Sequence, residues 1–283
     1  MDTQPFLPIL GQFKAVFLDS YGVLKNHRGL IEGVQQTVDY IRERGIALRI
    51  LTNDASRSQH EQFAAFRRLG LQGIEEDEII TSGMLAKQYL QHKVKSGRIA
   101  YLGTENAASY ILESGNTSIP AGDVDLERAD EIDAFVFLDD EGFDWNRDIN
   151  TTVNLLRRKT MPVIVANSDK LYPVSRNDVA LATGSVAQLV ESILNRSFIH
   201  FGKPDSQMFM YAFDHLNKEG SGQYDKDDIL MVGDTLHTDI LGGNKFGLKT
   251  TLVLSGNTSA RNAGLLISAT GIIPDYICAS IVG

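Results

Sequence analysis

A short apolar run that stops at a polar or acidic residue recurs along this chain, and it restricts the fold to one class. Ala15-Val16-Phe17-Leu18 stops at Asp19, and Ile46 to Leu51 stops at Thr52-Asn53-Asp54. Ala134 to Leu138 stops at Asp139-Asp140, Pro162 to Ala166 at Asn167-Ser168-Asp169, and Ile229 to Val232 at Gly233-Asp234. Continuous runs of this length read as strands buried on both faces, the habit of parallel sheets. Helical spacing lies between them. Val34, Val38 and Ile41 share a face that Gly45 closes. Phe63, Phe66 and Leu69 share another, in a helix that Ser56 can cap and Gly70 ends. Strand, helix, strand, helix predicts a parallel sheet with right-handed crossovers. Such sheets bind ligands at the carboxyl ends of their strands. The polar tips are therefore the candidates for chemistry.

With 283 residues there is room for two ordinary domains. The expected fold class is α/β: a doubly wound parallel-sheet core, residues 1–82 and 197–283, with an inserted α/β cap, residues 83–196. The stretch Tyr21 to Leu30 is turn-rich and reads as a flap over the first strand tip. Asn116 to Gly122 and Leu171 to Asp178 read as loops of the cap. Trp145 and Cys278 read as packing residues, and His237 as an exposed turn histidine. Asp139, Asp140 and Asp169 either face a substrate or close turns.

The formal net charge of −9 argues against a nucleic-acid partner, which needs a basic face to displace counterions. A small anionic substrate remains compatible, because a few local cations dominate a pocket. The single cysteine, Cys278, allows no intrachain disulfide and suits a reducing, cytoplasmic setting. Met1 to Pro8 lacks a basic region followed by a long apolar run, so no signal peptide is expected. No apolar run approaches the length of a membrane span, and no membrane partner is expected.

Four tips carry a coherent inventory: Asp19, then Thr52 and Asn53, then Lys203, then Asp234 with Asp239. Phosphoryl transfer to a carboxylate uses this set. An aspartate attacks phosphorus while a hard divalent cation, held by oxygen ligands, offsets the charge. Asp19, Asp234 and the backbone carbonyl of Tyr21 are candidate ligands for Mg²⁺. The Thr52 hydroxyl, backbone N–H groups and Lys203 can hold the remaining phosphoryl charge. Arg57 either helps to neutralise phosphate or is an ordinary surface residue.

The segments LDSYGVL, LTNDASRS, FGKP and VGDTLHTDILGGNKFG also resemble, in this order, the four motifs of the haloacid dehalogenase superfamily. TNDASRS and GDTLHTDILGGN are similar to the branch of p-nitrophenyl and sugar-phosphate phosphatases, which inserts a large α/β cap between the second and third motifs. The resemblance implies Asp19 as nucleophile, Thr52 and Asn53 as phosphate-binding groups, and Lys203 as the lysine that orients nucleophile and phosphate. It implies Asp234 as a metal ligand and Asp239 as a second acidic residue that supports the metal's waters or the lysine. The implied partner is a small phosphorylated metabolite; a homodimer is left open.

One position departs from that pattern. Two residues after the nucleophile, phosphatases of the superfamily carry a second aspartate as general acid and base; here the residue is Tyr21. A phenol with an ordinary pKa of roughly 10 is a poor proton shuttle at neutral pH. Such help is typically worth ~10²–10⁴-fold. Three activities therefore stay open: a phosphatase, a phospho-ligand-binding protein with little turnover, and a hydrolase that attacks carbon.

Overall fold

The structure is a computed structural model that describes residues 2–175, 178–219 and 223–283. Its first sheet has six strands, in the order Tyr276–Cys278, Lys249–Val253, Ile229–Gly233, Ala15–Asp19, Ala47–Thr52 and Ile79–Thr81. Every pairing is parallel. Ala15–Asp19 is central. It pairs Leu18 with Val232 on one side and Asp19 with Leu51 on the other. That register carries Asp19, Thr52 and Asp234 to one edge of the sheet.

The apolar runs are buried on both faces for a simple reason: successive side chains point to opposite sides. Val16, Leu18, Leu48, Ile50, Leu230 and Val232 face one cluster, with Phe6, Val38 and Ile41. Ala15, Phe17, Leu51, Ile229 and Met231 face the other.

A second parallel sheet has the order Ile199–His200, Val163–Val165, Ala134–Phe137, Arg98–Leu102 and Thr117–Pro120. Its outer face carries Phe135, Phe137 and Val165. Its inner face carries Tyr101, Val136 and Ile164, in the same cluster as Phe17 and Leu51. Met84, Leu85 and Ala86 of the helix Ser82–Tyr89 belong to that cluster too. The cap therefore shares apolar packing with the core. Among the described residues, no helix is long and apolar enough to cross a membrane.

Several local expectations change. Two stretches read as loops contain strands: Thr117–Pro120 lies at a sheet edge, and Leu171–Pro173 forms a hairpin with Val179–Leu181. Pro120 and Pro173 sit at strand ends, where a missing N–H costs nothing. Residues 176 and 177 of the second stretch lie outside the described residues. The flap is also a small hairpin, Lys25–Asn26 with Gly29–Leu30. Ser58, not Ser56, caps the helix Gln59–Arg68, in a reciprocal box with Glu61. The Ser56 hydroxyl donates to Asp54 instead, at 2.5 Å. Leu69 and Trp145 are exposed rather than packed inside; the Trp145 ring leans on Phe143. Cys278 is buried, and burial pushes its thiol up to about 11.

Candidate active site

Asp19 ends the central strand, and Lys203 lies on the loop that follows Ile199–His200. The Lys203 Nζ donates to Asp19 Oδ1 at 2.5 Å and to the Leu51 carbonyl at 2.9 Å. It also lies 2.8 Å from Asp239 Oδ1, an ion pair without hydrogen-bond alignment. The side chains of Lys203 and Asp239 are 3% and 1% exposed, against 13% for Asp19. Of the three, Asp19 keeps the most access to an incoming molecule, as a nucleophile must.

Asn53 locks the lysine loop in place. Its Oδ1 accepts the Lys203 N–H at 2.7 Å, and its Nδ2 donates to the Lys203 carbonyl at 2.9 Å. A Cβ at Gly202 would come within 2.5 Å of Asn53 Oδ1, and φ there is +106°, so glycine is required on both counts. Thr52 is buried at the adjacent strand tip, where its hydroxyl oxygen accepts the Asp54 N–H at 3.2 Å.

Asp234 follows the strand Ile229–Gly233. Its Oδ1 accepts the Thr235 hydroxyl at 2.8 Å, and its Oδ2 accepts the Asn257 N–H at 2.6 Å. The helical turn Leu236–Ile240 then brings Asp239 back to the strand end, where Oδ2 accepts the Thr235 N–H at 3.0 Å. Gly233 serves close approach, not a left-handed turn: a Cβ there would meet Asp239 Cβ at 2.1 Å. The loop Ser255 to Asn257 also encloses Asp234 and was not singled out from sequence. It follows the neighbouring strand Lys249–Val253, and its relevance depends on a strand order that no local signal carries.

One carboxylate oxygen from each of Asp19, Asp234 and Asp239 lies within 4.8 Å of the others. Three carboxyl groups share one ammonium in a buried place, and their full ionisation would leave about two negative charges uncompensated. Burial holds the Asp19 carboxyl well above its ordinary range, with Lys203 opposing and Asp239 and Asp234 adding to the rise. Burial and the Asp239 charge push Asp234 up to about 7. Burial works against the Lys203 charge, yet Asp19 and Asp239 outweigh it and hold the ammonium firmly protonated. An all-oxygen donor set with this surplus of negative charge fits a hard divalent cation.

The side chains of Arg57 and Tyr21 make their contacts outside this cluster. Arg57 is half exposed, and its Nη1 sits 3.8 Å from Asp54 Oδ2; it makes no ion pair with the Asp19 cluster. The Tyr21 side chain turns away from the cluster toward the cap, where its hydroxyl donates to the Pro173 carbonyl at 2.8 Å. Burial, then the Asp234 charge, raise its pKa above the ordinary phenol value. His237 is exposed, as expected. Asp169, by contrast, accepts Asn53 Nδ2 at 2.8 Å and so joins the site from the cap.

Residues 16–117 match a family described as haloacid dehalogenase-like hydrolase, and residues 200–282 match a HAD-hydrolase-like family. A solved structure from Cytophaga hutchinsonii, described as a possible sugar phosphatase of the HAD superfamily, is 50% identical, with a TM-score of 0.95. That match covers 100% of this chain and 99% of the other. Phosphoglycolate phosphatase 2 of Arabidopsis thaliana is 28% identical over 98% of this chain and 96% of its own. A glycerol phosphate phosphatase from Mycobacterium tuberculosis, solved with calcium, is 25% identical, with a TM-score of 0.77, over 96% of this chain and 75% of its own. The chain thus belongs to the haloacid dehalogenase superfamily.

Proposed function

We propose that this protein is a magnesium-dependent phosphatase for a small phosphorylated metabolite, a sugar phosphate being the favoured class. The observation that carries the reading is the Asp19–Lys203–Asp239 contact, with Asp234 alongside, at one edge of a parallel sheet. The relatives named as phosphoglycolate and glycerol phosphate phosphatases agree with a small phosphoester.

Asp19 attacks phosphorus in line. A bond forms from its carboxylate oxygen to phosphorus, and the ester bond to the leaving oxygen breaks. Lys203 holds Asp19 in place and offsets charge on the phosphoryl oxygens. The Thr52 hydroxyl and the Asn53 segment face the same charge, where preorganised donors act most strongly. Water then adds to phosphorus, the bond to Asp19 breaks, and inorganic phosphate leaves; the proton that the water gives up to solvent balances the one that the departing oxygen takes up from it. Asp19, the Tyr21 carbonyl, Asp234 and Asp239 would hold Mg²⁺, which supplies charge neutralisation at the phosphoryl group when bound. The cap covers the crevice, excludes bulk water from the first step and selects the substrate.

The test is phosphate release from p-nitrophenyl phosphate, whose leaving group needs no acid. Activity should vanish on chelation of magnesium and in Asp19→Asn. Undiminished turnover in that variant would overturn the assignment of the nucleophile. Halide release without metal would instead favour attack on carbon.

A further inference from the structure

Tyr21 stands two residues after the proposed nucleophile, yet its hydroxyl is committed to the cap. It donates to the Pro173 carbonyl at 2.8 Å, across 152 positions of sequence. The donor is rooted in a tight turn. The Gly22 N–H donates to Lys25 at 2.7 Å, and the Leu24 and Lys25 N–H groups both donate to the Ser20 carbonyl. Ser255 Oγ donates to the Gly22 carbonyl at 2.7 Å, and a Cβ at Gly22 would reach 2.1 Å from Asp234 Oδ2. This turn has little room to shift.

The acceptor is anchored as well. Pro173 lies in the hairpin of Leu171–Pro173 with Val179–Leu181. Its neighbour Tyr172 donates to Asp140 Oδ2 at 3.1 Å, which ties the hairpin to the cap sheet. One other hydrogen bond joins core and cap at the start of this segment: Asn53 Nδ2 donates to Asp169 at 2.8 Å. Tyr21 reaches further along the hairpin than Asn53 does.

We propose that Tyr21 is a positioning residue that fastens the cap hairpin over Asp19 and so holds the cap closed on the crevice. The proposal rests on the phosphatase reading for its kinetic consequence, not for its geometry. A phenol has one O–H, and here that O–H is spent on a carbonyl. It cannot serve the leaving group without first releasing the hairpin.

Tyr21→Phe removes the hydroxyl and keeps the ring and the backbone carbonyl. Loss of one such hydrogen bond should lower kcat/KM by about five- to tenfold, carried by KM, because less of the protein is closed. p-Nitrophenyl phosphate and glycerol phosphate should suffer alike. Amide hydrogen exchange at Leu171, Tyr172, Val174 and residues 179–181 should speed up in the same variant. A loss confined to glycerol phosphate would make Tyr21 a proton donor and overturn the proposal. Unchanged exchange in the hairpin would overturn it whatever the kinetics. Should the wild-type protein release phosphate from neither ester, the phosphatase reading fails alone, and hydrogen exchange still decides whether the clasp exists.

Discussion

The core and the cap are both parallel sheets with acids at their strand tips, but the two sets of acids have different company. In the core, Asp19, Asp234 and Asp239 converge, and Lys203 lies against two of them. In the cap, Asp139 and Asp140 find hydroxyls, and Asp169 alone of the three tip acids named from sequence reaches the site, through Asn53. Asp139 Oδ2 accepts Thr104 Oγ1 at 3.1 Å, and Asp140 accepts Tyr172 at 3.1 Å and Thr183 at 3.4 Å. Burial, with Asp140 nearby, pushes Asp139 up to about 6. The difference teaches that a strand tip presents an acid but does not make it reactive. Burial raises the acids in both places, but at Asp19 the Lys203 ammonium opposes the rise, whereas at Asp139 a threonine hydroxyl and a backbone N–H oppose it. The second segment, which delivers the lysine, turns a tip into a site.

Lys203→Ala should separate the two regions most sharply. It removes the ammonium but leaves Asp19 and Asp239 buried side by side. Phosphate release should fall by about 10²–10³-fold, the scale of losing one preorganised charge-stabilising donor. Stability should fall by about 3 kcal/mol, because the surviving carboxylates lose their partner. Denaturant unfolding and steady-state kinetics check both. A variant with wild-type activity would erase the contrast between core and cap.

A much smaller effect is expected from Asp139→Asn. Turnover of p-nitrophenyl phosphate should stay within about twofold, since no reacting group depends on this side chain. Its pH signature sharpens the contrast. The raised pKa of Asp139 favours the folded state fully below about pH 4, and that contribution is lost as pH rises through about 6. The Asp139→Asn variant therefore gains on wild type at pH 8 and not at pH 4, by about two degrees in Tm. A tenfold loss of activity would instead move Asp139 into the reaction centre.

What the residues reveal before any coordinates follows from the same physics. Buried parallel strands must be apolar throughout, so Val16 to Leu18 and Leu230 to Val232 are visible in sequence, and the polar residue that ends each run marks the ligand edge. Asp19, Thr52 and Asp234 are legible for that reason, and Lys203 through the order of the four segments, which carries the family resemblance. The hairpin at Leu171–Pro173 is not, because Pro173 and exposed Leu171 and Val174 lack the signature of a buried strand. Ser56 reads as the helix cap in sequence, but the cap is Ser58, where Glu61 closes the box. The Asn257 N–H on Asp234 and the Tyr21 hydroxyl on Pro173 join residues far apart in sequence, and only the folded arrangement of the strands brings them together.

The central claim is that Asp19 becomes covalently phosphorylated at the meeting point of these segments. The direct measurement is mass spectrometry of the protein acid-quenched during turnover of p-nitrophenyl phosphate with magnesium. The account predicts one added phosphoryl group on the peptide carrying Asp19, absent without magnesium and absent in Asp19→Asn. Steady phosphate release with that peptide never modified, or with the label on another residue, would contradict it.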